Sequence, residues 1–340
     1  MNTKIAPFAA ACLLACVESA AADPVEDFYR TATIQLAAPT EAGDGYDATT
    51  RWVGRHLGRF IPGSPKIVVQ NRIGAAGLQA ANYTYEQAPR DGTFMALLHQ
   101  TSALSQAKGD PGVRYDAARY NWIGSPISPV EVFAVWSNTG IKTMDDAKRI
   151  SVAIGATGQT AQNFIYPKLA NELLGTKFKI VLGYAGGAGM NLAMERNETQ
   201  GRGAYPWLLL KATRGDWLRD GRLSLLAHPG LEPLPDAPQM PRYVDIAPTP
   251  EAKSVFELNA RVAGMGRPFV MPPDVPTERV AAVRRAFAAM LTDSEFMAEA
   301  DKMQEEVKYT SGEKLKELVD GILRVDAATM DRFRNALAAH

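Results

Sequence analysis

The sequence predicts an α/β protein built as two similar lobes. Two observations carry this reading. A strand–helix–strand–helix–strand order runs from residue 31 to residue 100, and the same order restarts near residue 143. In both stretches, strands run into glycine-rich turns that open helices. That order implies parallel strands joined by crossover helices, and two such units suggest two lobes.

The chain opens on a targeting pattern. Lys4 forms a short positive region, "IAPFAAACLLACV" an apolar one, and Ala20-Ala21-Ala22 an A-x-A cleavage site before Asp23. Residues 1–22 therefore read as a secretory signal peptide. The two cysteines, Cys12 and Cys16, both lie in it. Cleavage after Ala22 leaves a chain without disulfides, thiolate catalysis or Cys-ligated zinc. "LLAC" also resembles a lipoprotein cleavage box, so lipid anchoring through Cys16 stays open, although Leu14 is not the usual small residue there. Both routes export the protein, which places it in the periplasm.

In the first unit, "TATIQLAA" (31–38) reads as a strand and residues 46–60 as a helix. Ala48, Trp52, Val53, Leu57 and Phe60 share one helix face at spacings of three and four. Arg51, Arg55 and Arg59 stripe the other, read as a solvated face rather than a binding patch. "KIVVQN" (66–71) is a strand, "AAGLQAANYTYEQA" (75–88) a helix stopped by Pro89, and "TFMALLHQ" (93–100) a strand. "VEVFAVWS" (130–137) is a further strand.

In the second unit, "TMDD" (143–146) reads as a capping box. Strands follow at 150–156, 178–184 and 222–228, with helices at 162–175 and 186–198. Residues 229–250, with seven prolines, read as an extended surface connection. Helices are expected in "TERVAAVRRAFAAML", "GEKLKELVDGIL" and "AATMDRFRNALAA".

Composition narrows the function. Lys plus Arg and Asp plus Glu balance at 37 each, which gives no reason to expect nucleic acid as a partner. No run of eighteen apolar residues occurs. His56, His99, His228 and His340 are scattered without metal-ligand spacing, so no metal is expected. "GYAGGAG" (183–189) does not match G-x-G-x-x-G, and "GATGQT" (155–160) lacks the P-loop lysine, so no nucleotide cofactor is expected. No G-x-S-x-G nucleophile elbow is present.

What remains is a repeated design. "APTEAGDGYD", "GATGQTAQN" and "GYAGGAGMN" each carry a strand into a helix through glycines. A helix start presents unpaired amides and the positive end of its dipole, which seat carboxylates. Glycine lets a ligand approach the backbone. In open α/β sheets such turns gather at the carboxyl ends of strands, where ligands bind. Three of them, in two lobes, point to a binding cleft.

The order of these segments resembles the periplasmic solute receptors of tripartite tricarboxylate transporters, the Bug family. The family's P-x-x-A-G-G-x-x-D turn has its counterpart in Pro39, Ala42, Gly43 and Asp47. "VVQNRIGAAG" and "APRDGT" resemble its next two motifs, and "VAIGATGQTAQN", "GYAGGAGMNLAMERNE", "LPDAPQMPRYVDIA" and "GRPFVMPPDVPTERVAAVRRAF" its later ones.

The resemblance implies a two-lobed periplasmic-binding-protein fold (Venus flytrap, type II). Residues 23–131 form the first lobe, 132–226 the second, and 227–340 the return with the C-terminal helices. Hinge strands are expected at 131–136 and 223–227. A small carboxylate would sit between the lobes and pass to a membrane permease, with no reaction catalysed and no cofactor. The protein is expected to act as a monomer.

Position by position, the resemblance implies ligand contacts from Ala42, Gly43, Asp44, Gly45, Tyr46 and Asp47 in the first turn. Gln100, Thr101 and Ser102 follow at the end of the third strand. Ala156, Thr157, Gly158 and Thr160 come from the mid-chain turn, and Tyr184, Ala185, Gly186 and Gly187 from the next. Asp44 stands where the family commonly has glycine, and Gln162 or Asn163 near a position often held by histidine.

Asp44 and Asp47 have the spacing of a helix cap and its third-residue partner. Asp47 fits that role. Asp44 either points to solvent or faces the ligand, where it would favour an amine, a hydroxyl or a cation. Two other readings stay open: a secreted α/β hydrolase or lyase using the same cleft, and a ligand sensor for a signalling partner.

Overall fold

The computed structural model describes residues 23–128, 130–159, 161–303 and 305–338. The signal-peptide residues, Cys16 with them, and Thr160 lie outside the described residues.

The first stretch of chain runs α1 (Pro24–Thr31), β1 (Thr33–Ala38), α2 (Gly45–His56), β2 (Lys66–Asn71), α3 (Leu78–Glu86), β3 (Phe94–Leu97), α4 (Ser102–Lys108) and β4 (Asn121–Ser125). The middle stretch runs β5 (Glu131–Trp136), β6 (Ala153–Gly155), α5 (Gln162–Leu174), β7 (Lys179–Val181), α6 (Gly187–Glu195), β8 (Gly201–Pro206), α7 (Trp207–Arg219) and β9 (Leu223–Ala227). The return comprises α8 (Pro250–Gly264), β10 (Phe269–Met271), α9 (Thr277–Met290), α10 (Ser294–Met303), β11 (Thr310–Ser311), α11 (Gly312–Leu323) and α12 (Ala327–Ala338). No helix among these is long and apolar enough to cross a membrane.

Two sheets result. The first has the order β11-β4-β10-β3-β1-β2, the second β7-β6-β8-β5-β9. The sheet changes between β4 and β5 and changes back between β9 and β10. β1 is parallel to β2 and β3, and β6 is parallel to β7 and β8, as the crossover order requires.

One expectation fails here. The third parallel strand of the second unit is β8, not residues 222–228. β9 lies at the sheet edge, antiparallel to β5, which is itself antiparallel to β8. β8 reads "GRGAYP" and lacks apolar alternation because it is buried on both faces. Its glycines answer close approaches. A Cβ on Gly203 would lie 2.8 Å from Pro167 Cγ, and one on Gly201 2.7 Å from Val135 Cγ1.

The apolar face of α2 buries Trp52, Val53 and Leu57, and Trp52 stacks on Phe296 of α10 at 4.0 Å. The arginine stripe is not simply solvated. Arg55 pairs with Glu299, and Arg59 with Asp293 and Glu295, so the stripe docks α10. The proline-rich stretch is irregular but anchored by buried Leu234, Met240 and Tyr243. One apolar cluster runs from Trp122 and Val270 of the first sheet through Tyr243 and Phe256 to Phe133 and Ile154 of the second. α12 lies against both α5 and α8.

Candidate functional site

In both sheets, the loops at the carboxyl ends of the parallel strands carry the expected glycine-rich turns. After β1 the chain turns through Gly43, whose φ of 88° is a left-handed conformation that glycine tolerates. Asp44 caps α2, its Oδ1 accepting a 2.8 Å bond from the Tyr46 amide. Asp47 is buried and accepts from the Gly43 amide (2.8 Å), Asn71 Nδ2 (2.7 Å) and Arg51 Nε (3.0 Å). The two carboxylates thus satisfy helix-start amides, as their spacing predicts.

Beside this turn lies a cavity of about 510 Å³ lined by Thr40, Glu41, Ala42, Asp44, Gly74 and His99, among others. Exposed Asp44 therefore caps the helix and borders the cavity. Asp47 turns its carboxylate away into the cap network. Gly45 is the first residue of α2, and Arg267 lies against it: a Cβ there would be 3.2 Å from Arg267 Nη2. The same guanidinium sits 4.2 Å from the centre of the Tyr46 ring, on which His99 also stacks at 4.9 Å.

Gln100, Thr101 and Ser102 are less forward. The Gln100 amide makes a long 3.5 Å contact with Tyr46 Oη. Ser102 Oγ donates to the His99 carbonyl at 2.6 Å, and Thr101 Oγ1 lies 2.7 Å from His99 Nδ1. These hydroxyls hold His99, which faces the cavity. Burial, reinforced by Arg267 and opposed by Asp44, lowers the His99 pKa, so the ring is neutral at pH 7.

In the second sheet, Ala156 follows β6, with its amide on the Val181 carbonyl (2.8 Å). The Thr157 amide donates to Asn163 Oδ1 at 3.0 Å, so Asn163 of α5 shapes this turn. Tyr184 packs against Gly155, Ala185 is exposed, and Gly186 leads into Gly187, the first residue of α6. A Cβ on Gly158 or Gly186 would meet nothing within 4 Å, so both backbones border open space. Among the described residues, no hydrogen bond joins the turn at 39–47 to those at 156–159 or 182–187.

Comparison with solved structures fits this geometry. The chain is similar to a TctC solute-binding protein from Polaromonas without ligand (TM-score 0.67, 17% identity, covering 90% of this chain and 99% of that one). It is similar to an R. palustris protein determined with adipate (TM-score 0.54, 17% identity, 90% and 97% covered). It is also similar to the periplasmic binding protein BugD (TM-score 0.53, 17% identity, 90% and 98% covered). The chain has the periplasmic-binding-protein fold. No protein-family model matches it, and no curated protein does.

Within this fold, three residues at the turns escaped the sequence reading: His99, Arg202 and Arg267. Arg202 lies on β8, 4% exposed, 3.9 Å from the centre of the Tyr205 ring. A Cβ on Gly187 would be 3.2 Å from Arg202 Nη2. The available signal was an arginine between two glycines in "GRG", and another after glycine in "GRPFV".

Proposed function

We propose that the protein is an exported solute receptor of the tripartite tricarboxylate transporter (Bug) type. It captures a small carboxylate between its lobes and delivers it to a membrane permease. The observation that carries this reading is the paired design of the turns. In each sheet, a helix at the carboxyl ends of the parallel strands begins with a glycine, Gly45 or Gly187, that lies against an arginine, and a glycine just before it, Gly43 or Gly186, borders open space. Helix-start amides and a guanidinium favour a carboxylate. The solved relative with adipate supports the same ligand class.

The lobes are 23–131 with 227–340, and 132–226, hinged on β5 and β9. What supports this division is that the chain passes to the second sheet between β4 and β5 and returns to the first between β9 and β10. Ligand contacts come from Ala42 to Asp47, Gln100 to Ser102, Ala156 to Gly158 with Thr160, and Tyr184 to Gly187. The protein is a periplasmic monomer that catalyses no reaction.

A thermal-shift screen tests this. The full-length chain is expressed in a Gram-negative host, recovered from its periplasmic extract and exposed to mono-, di- and tricarboxylates, aromatic acids and amino acids. A ligand that binds only the folded state adds about 2.7 kcal/mol of stability at a hundredfold excess over Kd. A shift with one acid class, the compound recovered unchanged, supports the receptor. No shift with any acid, or turnover of one, rejects it.

A further inference from the structure

A second cavity, of about 320 Å³, lies where the chain passes between its two sheets. It shares no residue with the turns described above or with the cavity beside Asp44. Ser128 and Val130, on the way from β4 to β5, form one wall. Residues 229–235, directly after β9, form another, and α8 and α11 close the space.

The walls are mainly apolar. Residues 229–235 bring three prolines and two leucines. The room comes from α8, which lines the cavity with Ala260, Ala263 and Gly264, small residues on one helix face. The Ser128 hydroxyl is already satisfied by Thr310 Oγ1 at 2.9 Å. What is left without a partner is one charge. Of the two lysines in the wall, Lys314 pairs with Glu317 at 2.9 Å. Lys308 has no carboxylate within 4.0 Å of its Nζ among the described residues. Partial desolvation lowers its pKa, with Glu306 opposing from farther away. Exposed Glu232 also lines the cavity, but Arg242 feels its charge and offsets it.

We propose that this cavity is a second binding site, which takes a small apolar monocarboxylate such as a medium-chain fatty acid. The hydrocarbon chain lies in the slot and the carboxylate pairs with Lys308. The volume is in the range of small-ligand sites. A dicarboxylate fits poorly, because its second charge would enter an apolar wall without a partner. An occupant touches both segments that link the sheets. The site does not depend on the receptor reading above.

The test is calorimetric titration of the protein recovered from the periplasm with octanoate, octan-1-ol and octanedioate. Octanoate is expected to bind at least about tenfold tighter than either of the others, the effect of one charged hydrogen bond. Ala263→Phe fills the slot and is expected to abolish octanoate binding. Lys308→Met is expected to weaken it about tenfold. Neither variant should change the affinity for an acid that the thermal-shift screen assigns to the cleft. If Ala263→Phe does not fold, exposed Lys308→Met and the wild-type preference still judge the proposal. Absence of octanoate binding, or equal binding of the three compounds, overturns the site. So does octanoate affinity unchanged in a folded variant, which would put octanoate elsewhere. Each of these results leaves the receptor reading standing, and that reading fails only by its own screen.

Discussion

Asn71, the last residue of β2, donates a 2.7 Å hydrogen bond from Nδ2 to the Asp47 carboxylate in the first turn of α2. The same amide donates to the Thr40 carbonyl at 2.8 Å, and Asn71 Oδ1 accepts from Arg51 at 2.9 Å. One side chain thus fixes the turn, the helix start and the strand end that border the first-lobe cavity. Burial works against the charged Asp47, but hydrogen bonds from Arg51, the Gly43 amide and Asn71 outweigh it and lower the pKa. Asp47→Ala is expected to lower stability by about 2–3 kcal/mol, because charged hydrogen bonds are lost and a helix-start amide is orphaned. Asp44→Ala, which removes an exposed cap, is expected to cost about 1 kcal/mol. Urea unfolding of both variants checks the ranking. The Asp47 contribution is present above the unfolded aspartate pKa and disappears as pH falls through the lower folded value.

Gly203 sets how closely α5 lies on β8. A Cβ there would be 2.8 Å from Pro167 Cγ and 3.0 Å from the Asn163 carbonyl, so α5 must move. Asn163 is also the residue that holds the Thr157 amide. Gly203→Ala is expected to lower stability by about 1–3 kcal/mol, the usual cost of overpacking. It should also weaken ligand binding, since the second-lobe turn shifts with the helix. A midpoint in urea unchanged from wild type would show that the interface is looser than these distances require.

These positions mark what the sequence made legible. α2 was readable because Trp52, Val53 and Leu57 repeat at helical spacing and are all buried. The role of Asp47 was readable because cap spacing is local. β8 was not, since Gly201 and Gly203 exist for contacts with Val135 and Pro167 that sequence order does not reveal. α8 was hidden at the end of a proline-rich stretch, although Thr249 caps it and Pro250 occupies its first position, where proline is tolerated. Arg202 and Arg267 were unreadable for a related reason. Arg202 meets Gly187, and Arg267 meets Gly45 and Tyr46, only when separate segments fold together, and Arg267 lies 221 residues beyond Tyr46.

Glu131 gives a pH signature near neutrality. Burial raises its pKa from 4.5 to about 7. Between those values the folded state holds more protons than the unfolded state, so this residue makes stability fall as pH rises. Glu131→Gln removes the ionisation. It is expected to match wild type near pH 4.5 and to be more stable at pH 8 by about 1–3 kcal/mol. Melting curves at the two pH values check this, and a variant less stable at pH 8 would mean that the charge of Glu131 is needed beside Arg202.

His228 acts in the opposite direction. It follows β9, where its amide donates to the Pro241 carbonyl and its own carbonyl accepts from the Tyr243 amide, each at 3.0 Å. The ring is fully buried, with Nδ1 accepting from the Gly230 amide at 3.2 Å and Nε2 unpartnered. Burial first, then the Arg242 charge, depresses its pKa to about 4, with Asp245 opposing. The unfolded state therefore takes up a proton near pH 6.5 that the folded state refuses until about pH 4. Stability is lost across that window as pH falls, by up to about 3 kcal/mol from this residue. His228→Asn keeps an acceptor for the Gly230 amide and has nothing to protonate. Its stability should fall less between pH 6.5 and pH 4 than that of wild type, and the difference between the two unfolding curves isolates this histidine from the carboxylates that titrate in the same range. Parallel curves would mean that water or a rearranged 228–243 segment accommodates the charged ring.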